Sequence, residues 1–330
     1  MAVLVSGGAG YIGSHMVLEL LDRGEKVVVL DDLSTGFWWA VPPEAIFLQG
    51  DIGNQDLVEG LIAEYGVTEI AHFAARIVVP ESVSDPLGYY FNNTVKTRAL
   101  IESAARKGVK HVIFSSTAAV YGEPPVSPVP EEIALNPINP YGRSKLMSEW
   151  MLQDAAKAHG FSYVALRYFN VAGADPKGRS GQSSPNVTHL IKVASQAALG
   201  QRDGLTVFGT DYATPDGTCV RDYIHVTDLA RAHLAALDHL RRGGESLTLN
   251  CGYGRGYSVK EVVEVVKKVS GVDFPVTLAQ RRPGDPASLI ARADRIRAEL
   301  GWRPEHDDLE EIVGQALAWE EKLRIKNASA

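Results

Sequence analysis

The sequence predicts an α/β protein: a doubly wound parallel sheet followed by a smaller C-terminal α/β unit. Three observations lead there. Short β-branched runs alternate with amphipathic helical stretches through the first 175 residues, the pattern of strand–helix–strand crossovers. Glycines at positions 7, 10 and 13 stand between the first such run and the first helical stretch. Near residue 175 the rhythm breaks, and 174–186 is rich in Gly, Ser and Pro.

Taken in order, Val3–Ser6 is the first expected strand, and Ile12, Met16, Leu20 and Leu21 recur at helical spacing until Gly24 stops them. Lys26–Leu30 and Ile46–Gln49 read as the next strands. Asn54 opens a second helix with Leu57, Val58, Leu61 and Ile62 on one face, closed by Gly66. Glu69–Phe73, His111–Ser115 and Tyr163–Tyr168 complete the expected strands, separated by helices at about 86–107 and 141–158 that end at Gly108 and Gly160. Strands spaced this way pair in parallel through right-handed crossovers. In the second half a helix is expected from about Val187 to Leu199. Ser258 and Glu261 form a capping box for another, and Leu309, Ile312, Val313, Ala316 and Leu317 mark the last, with 322–330 fraying. No repeat or long linker frees the halves, so the second should close over the first.

The composition is that of a globular protein: 45% hydrophobic and 22% charged among 330 residues. With 33 basic and 40 acidic residues the net charge is −7, which disfavours a sequence-independent grip on nucleic acid or an anionic membrane. The longest apolar runs, such as Val27 to Leu30, are far short of a membrane span. Met1 to Val5 has no basic region before its apolar residues and reads as a strand rather than a signal peptide. Cys219 and Cys251 are then reduced and incidental, the sequons at Asn92, Asn186 and Asn327 are chance matches, and a cytoplasmic location is expected.

The Gly7-x-x-Gly10-x-x-Gly13 turn lets backbone approach a pyrophosphate at the helix N-terminus, and Asp31-Asp32 at the end of the second strand suits the adenosine ribose hydroxyls. Two adjacent acids would repel a 2′-phosphate, so the expected cofactor is NAD on a Rossmann-type sheet. Tyr141 and Lys145, four apart, share a helical face just after the hydroxyl-lined strand end Ser115-Ser116-Thr117. A free phenol titrates near 10, so a tyrosine base at neutral pH must be lowered by about 3 units, roughly 4 kcal/mol. A lysine ammonium at about 4–5 Å, helped by the positive charge of a nicotinamide, is of that order. His189, His225, His233 and His239 lack metal-site spacing, and a core role suits His225. Six of the 17 prolines fall between 124 and 140, a stiff loop leading into the catalytic helix.

These motifs together resemble the extended short-chain dehydrogenase/reductase superfamily. Longer strings resemble its UDP-glucose (UDP-galactose) 4-epimerase family: Gly7 to His15, His72-Phe73-Ala74-Ala75, Glu81-Ser82, Tyr121-Gly122, Arg167-Tyr168-Phe169-Asn170, Phe208 to Tyr212 and, longest, Asp216 to Val226. The likeness runs from residue 3 to about 320. It implies catalysis by Thr117, Tyr141 and Lys145. Cofactor contacts are implied from Gly7, Gly10, Tyr11, Ile12, Gly13, Asp31, Asp32, Leu33, Thr35, Gly36, Asp51, Ile52, Phe73, Ala74, Ala75, Asn92, Lys145 and Phe169. On the substrate side it implies Asn170, Asn186 and Val187 at the diphosphate, Thr206, Val207 and Phe208 at the uracil, and Arg221, Arg282 and Asp285 at phosphates and ribose, with Leu289 as the sugar gate. Residues 1–175, with a return segment near 220–245, would bind NAD, and 176–330 mainly the UDP-sugar.

The implied reaction is reversible C4 epimerisation of a UDP-hexose through a 4-keto intermediate. It serves galactose metabolism and the supply of UDP-galactose for polysaccharide, with a homodimer built on the two long helices through Tyr89, Leu100, Met147, Trp150 and Met151. Two positions are notable against the family pattern: Ile77, beside Arg76, stands where a lysine is frequent, and the active-site hydroxyl, Ser or Thr among members, is here Thr117, which keeps the oxygen and adds a methyl. A 4,6-dehydratase needs an acid and a base after the Thr, where this chain has Ala118-Ala119. Epimerases of UDP-glucuronate, UDP-pentose or UDP-N-acetylglucosamine share the motifs and stay open. A non-enzymatic NAD sensor would have no reason to keep both Tyr141 and Lys145.

Overall fold

The apolar β-branched runs of the first half become six parallel strands in a computed structural model that describes residues 2–184, 188–282 and 284–328. They are β1 (Ala2–Ser6), β2 (Lys26–Asp31), β3 (Ile46–Gln49), β4 (Val67–His72), β5 (His111–Thr117) and β6 (Ser162–Tyr168). Across the sheet they lie in the order β3, β2, β1, β4, β5, β6, and a seventh strand, Leu247–Cys251, pairs in parallel with the outer edge of β6. Helices cover both faces, which is why β1 is buried at all five positions and reads as an unbroken apolar run. One core joins Val3, Val5, Met16 and Val29 to Val262, Ile312 and Val313 of the C-terminal part. The other packs Leu4, Leu30, Ile70 and Phe114 beneath Leu61, Leu100 and Leu152. Because the strand order reverses between β1 and β4, their carboxyl ends open a crevice. Gly7, Asp31, Phe73, Thr117 and Phe169 all stand at or just past a strand's carboxyl end.

Several expectations need correction. The long helix expected over 86–107 is segmented: Val79–Ser84, Pro86–Tyr89, a π-helical turn at Tyr90–Val95, then Lys96–Arg106. Pro86 has no N–H to continue the first segment, and the Asp85 side chain caps the second by accepting from Gly88 N at 3.0 Å. The helix expected from Val187 runs over Leu190–Ala198; Val187 and Asn186 lie outside the described residues. The last helix extends over Leu309–Ala328, past the expected start of fraying. Within the return segment, helix Val226–Arg241 packs on the first helix, Tyr11–Asp22, while the strand it feeds lies beyond 245. Arg23 and Arg241 tie this helix down, pairing with Asp238, Glu25 and Glu69.

The C-terminal part holds short sheets: Leu205–Phe208 with Val276–Ala279, and Val220–Arg221 between Tyr257–Ser258 and Ser288–Leu289. Tyr223–His225 reaches back to pair in parallel with Asn170–Ala172, just past β6. Among the described residues no helix is long and apolar enough to cross a membrane.

Candidate active site

At the β1 turn, Gly7 adopts φ +74°, and a Cβ there would lie 2.5 Å from Ala74 N; on Gly13 it would lie 2.1 Å from the Gly7 carbonyl oxygen. These two glycines let the turn close on itself and on the 73–75 loop. Gly10 differs: a Cβ would meet only Gly7 O, at 3.3 Å, so the turn presents open backbone to the crevice. Asp31 braces the turn, accepting from Ala9 N at 2.9 Å through one oxygen and from Leu33 N at 2.8 Å through the other. Burial pushes its carboxyl up, against those two amides. An open glycine backbone at a helix N-terminus with a fixed acid beyond it fits a dinucleotide diphosphate and ribose.

Other expected cofactor residues have structural partners. The Tyr11 hydroxyl donates to Gly173 O at 2.7 Å, which leaves its amide and that of Ile12 at the helix start. Gly36 lies against Ala9, Thr35 O accepts from Ser184, and Asp32 holds Ser34 N at 2.8 Å. Asp51 pairs with Lys96 at 2.5 Å, and Ile52 is buried in the core. Phe73 and Ala74 donate their amides to Ser6 O, which sets Ala75 beside the turn. Asn92 donates to Asn93 Oδ1, and it is Asn93 that anchors the loop, bonding both backbone groups of Arg76 and reaching Ser144 Oγ at 3.1 Å on the catalytic helix. Sequence reading missed Asn93, which stands between Asn92 and Thr94 with nothing local to single it out. Arg76 itself pairs with Asp85 at 3.1 Å, and Ile77 is exposed.

Helix Pro140–His159 starts with Pro at its first position and Asn139 accepting from Gly142 N at 2.9 Å. A Cβ on Gly142 would lie 2.6 Å from Ala119 O, so glycine lets the helix start press against the segment after β5. That approach brings Tyr141 within hydrogen-bonding reach of Thr117. One turn on, Lys145 is buried, donates to Ser115 O at 2.9 Å and lies 5.0 Å from the Phe114 ring centre. Burial acts against the charged form of each group. Burial raises Tyr141, opposed by the Thr117 hydrogen bond, and burial lowers Lys145 to about 7, opposed by Glu149. A phenolate at Tyr141 therefore needs positive charge beyond that of Lys145, the part the sequence reading gives to a nicotinamide.

Under the catalytic helix, Glu149 binds Arg167 through two bonds of 3.0 and 2.7 Å and accepts from Ser116 Oγ at 2.5 Å. Arg167 in turn reaches the Tyr121 hydroxyl at 3.0 Å, which donates to Asn250 at 2.6 Å. This buried network couples β5, β6, the catalytic helix and the seventh strand. It too was absent from the sequence reading, since its charged pair, Glu149 and Arg167, and its partner Asn250 come from distant parts of the chain.

On the far side of the crevice, Asn170 pairs its strand with Tyr223–His225, and the Arg221 guanidinium lies 3.4 Å from Asp285. Arg282 stacks over the Phe208 ring at 3.7 Å. Thr206 is exposed on the same strand, whereas Val207 alternates into the core, so its side chain is not available to a ligand. Leu289 packs with Phe169 against the cluster of Ala118, Val120, Tyr121 and Leu146, which places it beside the segment after Thr117 and the residue after Lys145.

A phenol and a lysine on one helix, facing a dinucleotide crevice, define a nicotinamide-dependent enzyme that works on a carbon bearing a hydroxyl. Comparison with known proteins narrows this: the chain belongs to the NAD dependent epimerase/dehydratase family, whose pattern it matches over residues 3–252. It is 58% identical to UDP-glucose 4-epimerase of Azospirillum brasilense over 97% of this chain and 92% of that one. The crystal structure of UDP-glucose 4-epimerase from Brucella ovis in complex with NAD is 47% identical, with a TM-score of 0.94 over 96% and 97% of the two chains. The UDP-Glc/GlcNAc 4-epimerase of Campylobacter jejuni is 51% identical, with a TM-score of 0.86 over 97% and 99%.

Proposed function

We propose that the chain is an NAD-dependent UDP-glucose 4-epimerase, interconverting UDP-galactose and UDP-glucose in the cytoplasm for galactose use and polysaccharide supply. The observation that carries this reading is the placement of Thr117, Tyr141 and Lys145 against the glycine-turn crevice, in a chain 58% identical to a UDP-glucose 4-epimerase. We assign NAD to the sheet-bearing part (1–175 with the return segment) and the UDP-sugar mainly to 176–330. NAD bound there would supply a reversible hydride acceptor for the sugar C4, with no net oxidation. Tyr141 takes the proton from the sugar O4 and gives it back, Thr117 shares that hydrogen bond, and Lys145 keeps the phenolate favourable. Arg221, Arg282 and Asn170 hold the diphosphate while the 4-keto sugar turns over, since guanidinium groups bind phosphate in forked, charge-assisted pairs.

A homodimer belongs to the same reading. Tyr89 and Leu100, expected at the interface, are buried in the chain's own core, but Leu87, Phe91 and Val95 are 78, 58 and 50% exposed at four-residue spacing, with Trp150 at 53%. Such a stripe suits a second copy of the chain. The test of the function is direct: the purified protein, without added nucleotide, should release NAD(H) on denaturation and convert UDP-galactose to UDP-glucose. Absence of both would refute it.

A further inference from the structure

The joint between the two short sheets of the substrate side turns on one residue that the catalytic reading does not use. Asp222 follows Arg221 and precedes the strand Tyr223–His225. Its carboxylate accepts from Tyr253 N at 3.0 Å, from Gly254 N at 2.9 Å and from Ala291 N at 3.2 Å. Its own carbonyl accepts from Asn170 N at 3.0 Å, and its amide donates to Leu289 O at 3.3 Å. One fully buried residue thus joins four separate stretches: Arg221, Asn170, the 253–254 loop and the Leu289–Ala291 segment. Gly252 belongs to the same fit, since a Cβ there would lie 2.7 Å from Asp222 Oδ2.

We propose that Asp222 is a positioning residue of the substrate site: its ionised carboxylate, by holding three backbone amides, fixes Arg221, Asn170 and Leu289 in the arrangement that receives the diphosphate and the sugar. This rests on reading the crevice as a UDP-sugar site. An ionised acceptor makes the stronger hydrogen bonds, and a proton on either oxygen would turn a donor toward an amide. Burial raises Asp222 to about 6, the three amides oppose it, and Arg297 from helix Asp294–Leu300 opposes it further. Among the described residues Tyr253 and Cys251 are further titratable neighbours; burial pushes both up, and Asp222 adds to the rise at the Cys251 thiol. The sign follows. Because burial raises this acid above its unfolded value, neutral Asp222 favours the folded chain, so acid loosens the clamp without lowering global stability on Asp222's account.

The experiment measures UDP-glucose affinity by calorimetry between pH 5.5 and 8 for the holoprotein and for Asp222→Asn, together with NAD content, melting temperature and kcat and KM for UDP-galactose. The two phosphates of UDP-glucose stay ionised throughout this range. In the unaltered protein, affinity should fall as pH drops through about 6. Asp222→Asn should bind about 10-fold more weakly at pH 7.5, with little pH dependence, a raised KM and NAD retained. Gly252→Ala, which crowds the carboxylate without removing it, should weaken binding while keeping the pH midpoint. Affinity within twofold of the unaltered protein in both variants would overturn the proposal, as would Asp222→Asn losing NAD and melting early. If UDP-glucose affinity behaves as expected but no variant, nor the unaltered protein, turns over UDP-galactose, the clamp stands and the epimerase reading falls.

Discussion

Replacing Glu149 with Gln removes one charge from the buried network while keeping its shape. Glu149 and Arg167 have side chains only 6 and 7% exposed. Breaking such a pair by neutralising one partner leaves the other charge buried and uncompensated, at a cost of about 3–5 kcal/mol. At about 2 °C per kcal/mol for a chain of this size, the melting temperature should fall by roughly 6–10 °C. A second effect follows from the helix. Lys145 stands one turn before Glu149, and burial already lowers it to about 7 against the opposing influence of that acid. With the carboxylate gone and Arg167 unanswered, the ammonium should be lost at still lower pH. A lysine is charged only below its pKa, so the alkaline limb of the kcat profile should move to lower pH. Melting curves and kcat for UDP-galactose between pH 5.5 and 9 read both effects, and Glu149→Met/Arg167→Met, which removes both charges, should recover over half of the lost stability. A Glu149→Gln protein melting within 1 °C of the unaltered one, or an unmoved alkaline limb, would refute the reasoning.

Tyr141→Phe should lower kcat by about 10²–10⁴-fold while NAD content is unchanged, and near-normal turnover would remove Tyr141 as the base. Leu289→Ser should raise kcat/KM for UDP-N-acetylglucosamine relative to UDP-glucose by about 10–200-fold, because a leucine-sized side chain is expected to crowd the sugar 2-position; equal efficiency on both sugars in the unaltered protein would dismiss it as the gate. Phe91→Glu, which puts a charge in the middle of the exposed stripe, should give a monomer mass by light scattering where the unaltered protein gives a dimer.

Much of the site is legible in the sequence because its signals are local. Glycines three apart between a strand and a helix, an acid at the end of the next strand, and Tyr141 with Lys145 at one helical turn can each be read within a short window. What the sequence hides depends on partners far along the chain. Asn93, Glu149 with Arg167, and Asp222 gain their roles only when strands and loops from elsewhere arrive; Arg167 and Asp222 stand in family-like strings, but nothing there names their partners. The strand Leu247–Cys251 interrupts its apolar residues with Thr248 and Asn250, so it does not declare itself as a buried strand. Which helix face turns inward is also hidden: Tyr89 is buried, while Leu87 and Phe91, four apart, face outward. How far burial offsets the lysine's charge is likewise hidden in the sequence, because burial acts on both groups, against the charge on each.

The edge of β6 has a consequence for how the chain is made. β6 ends at Tyr168, yet the strand that covers its outer edge begins only at Leu247. On the ribosome some 80 residues separate the two, roughly 4–16 s of synthesis at ordinary rates. Through that interval a nascent sheet complete in six strands would carry an apolar parallel edge with unpaired amides, a template for another nascent chain. Slower translation between 168 and 247 would lengthen the exposure, and chaperone dependence during expression should track that interval rather than the stability of the finished protein.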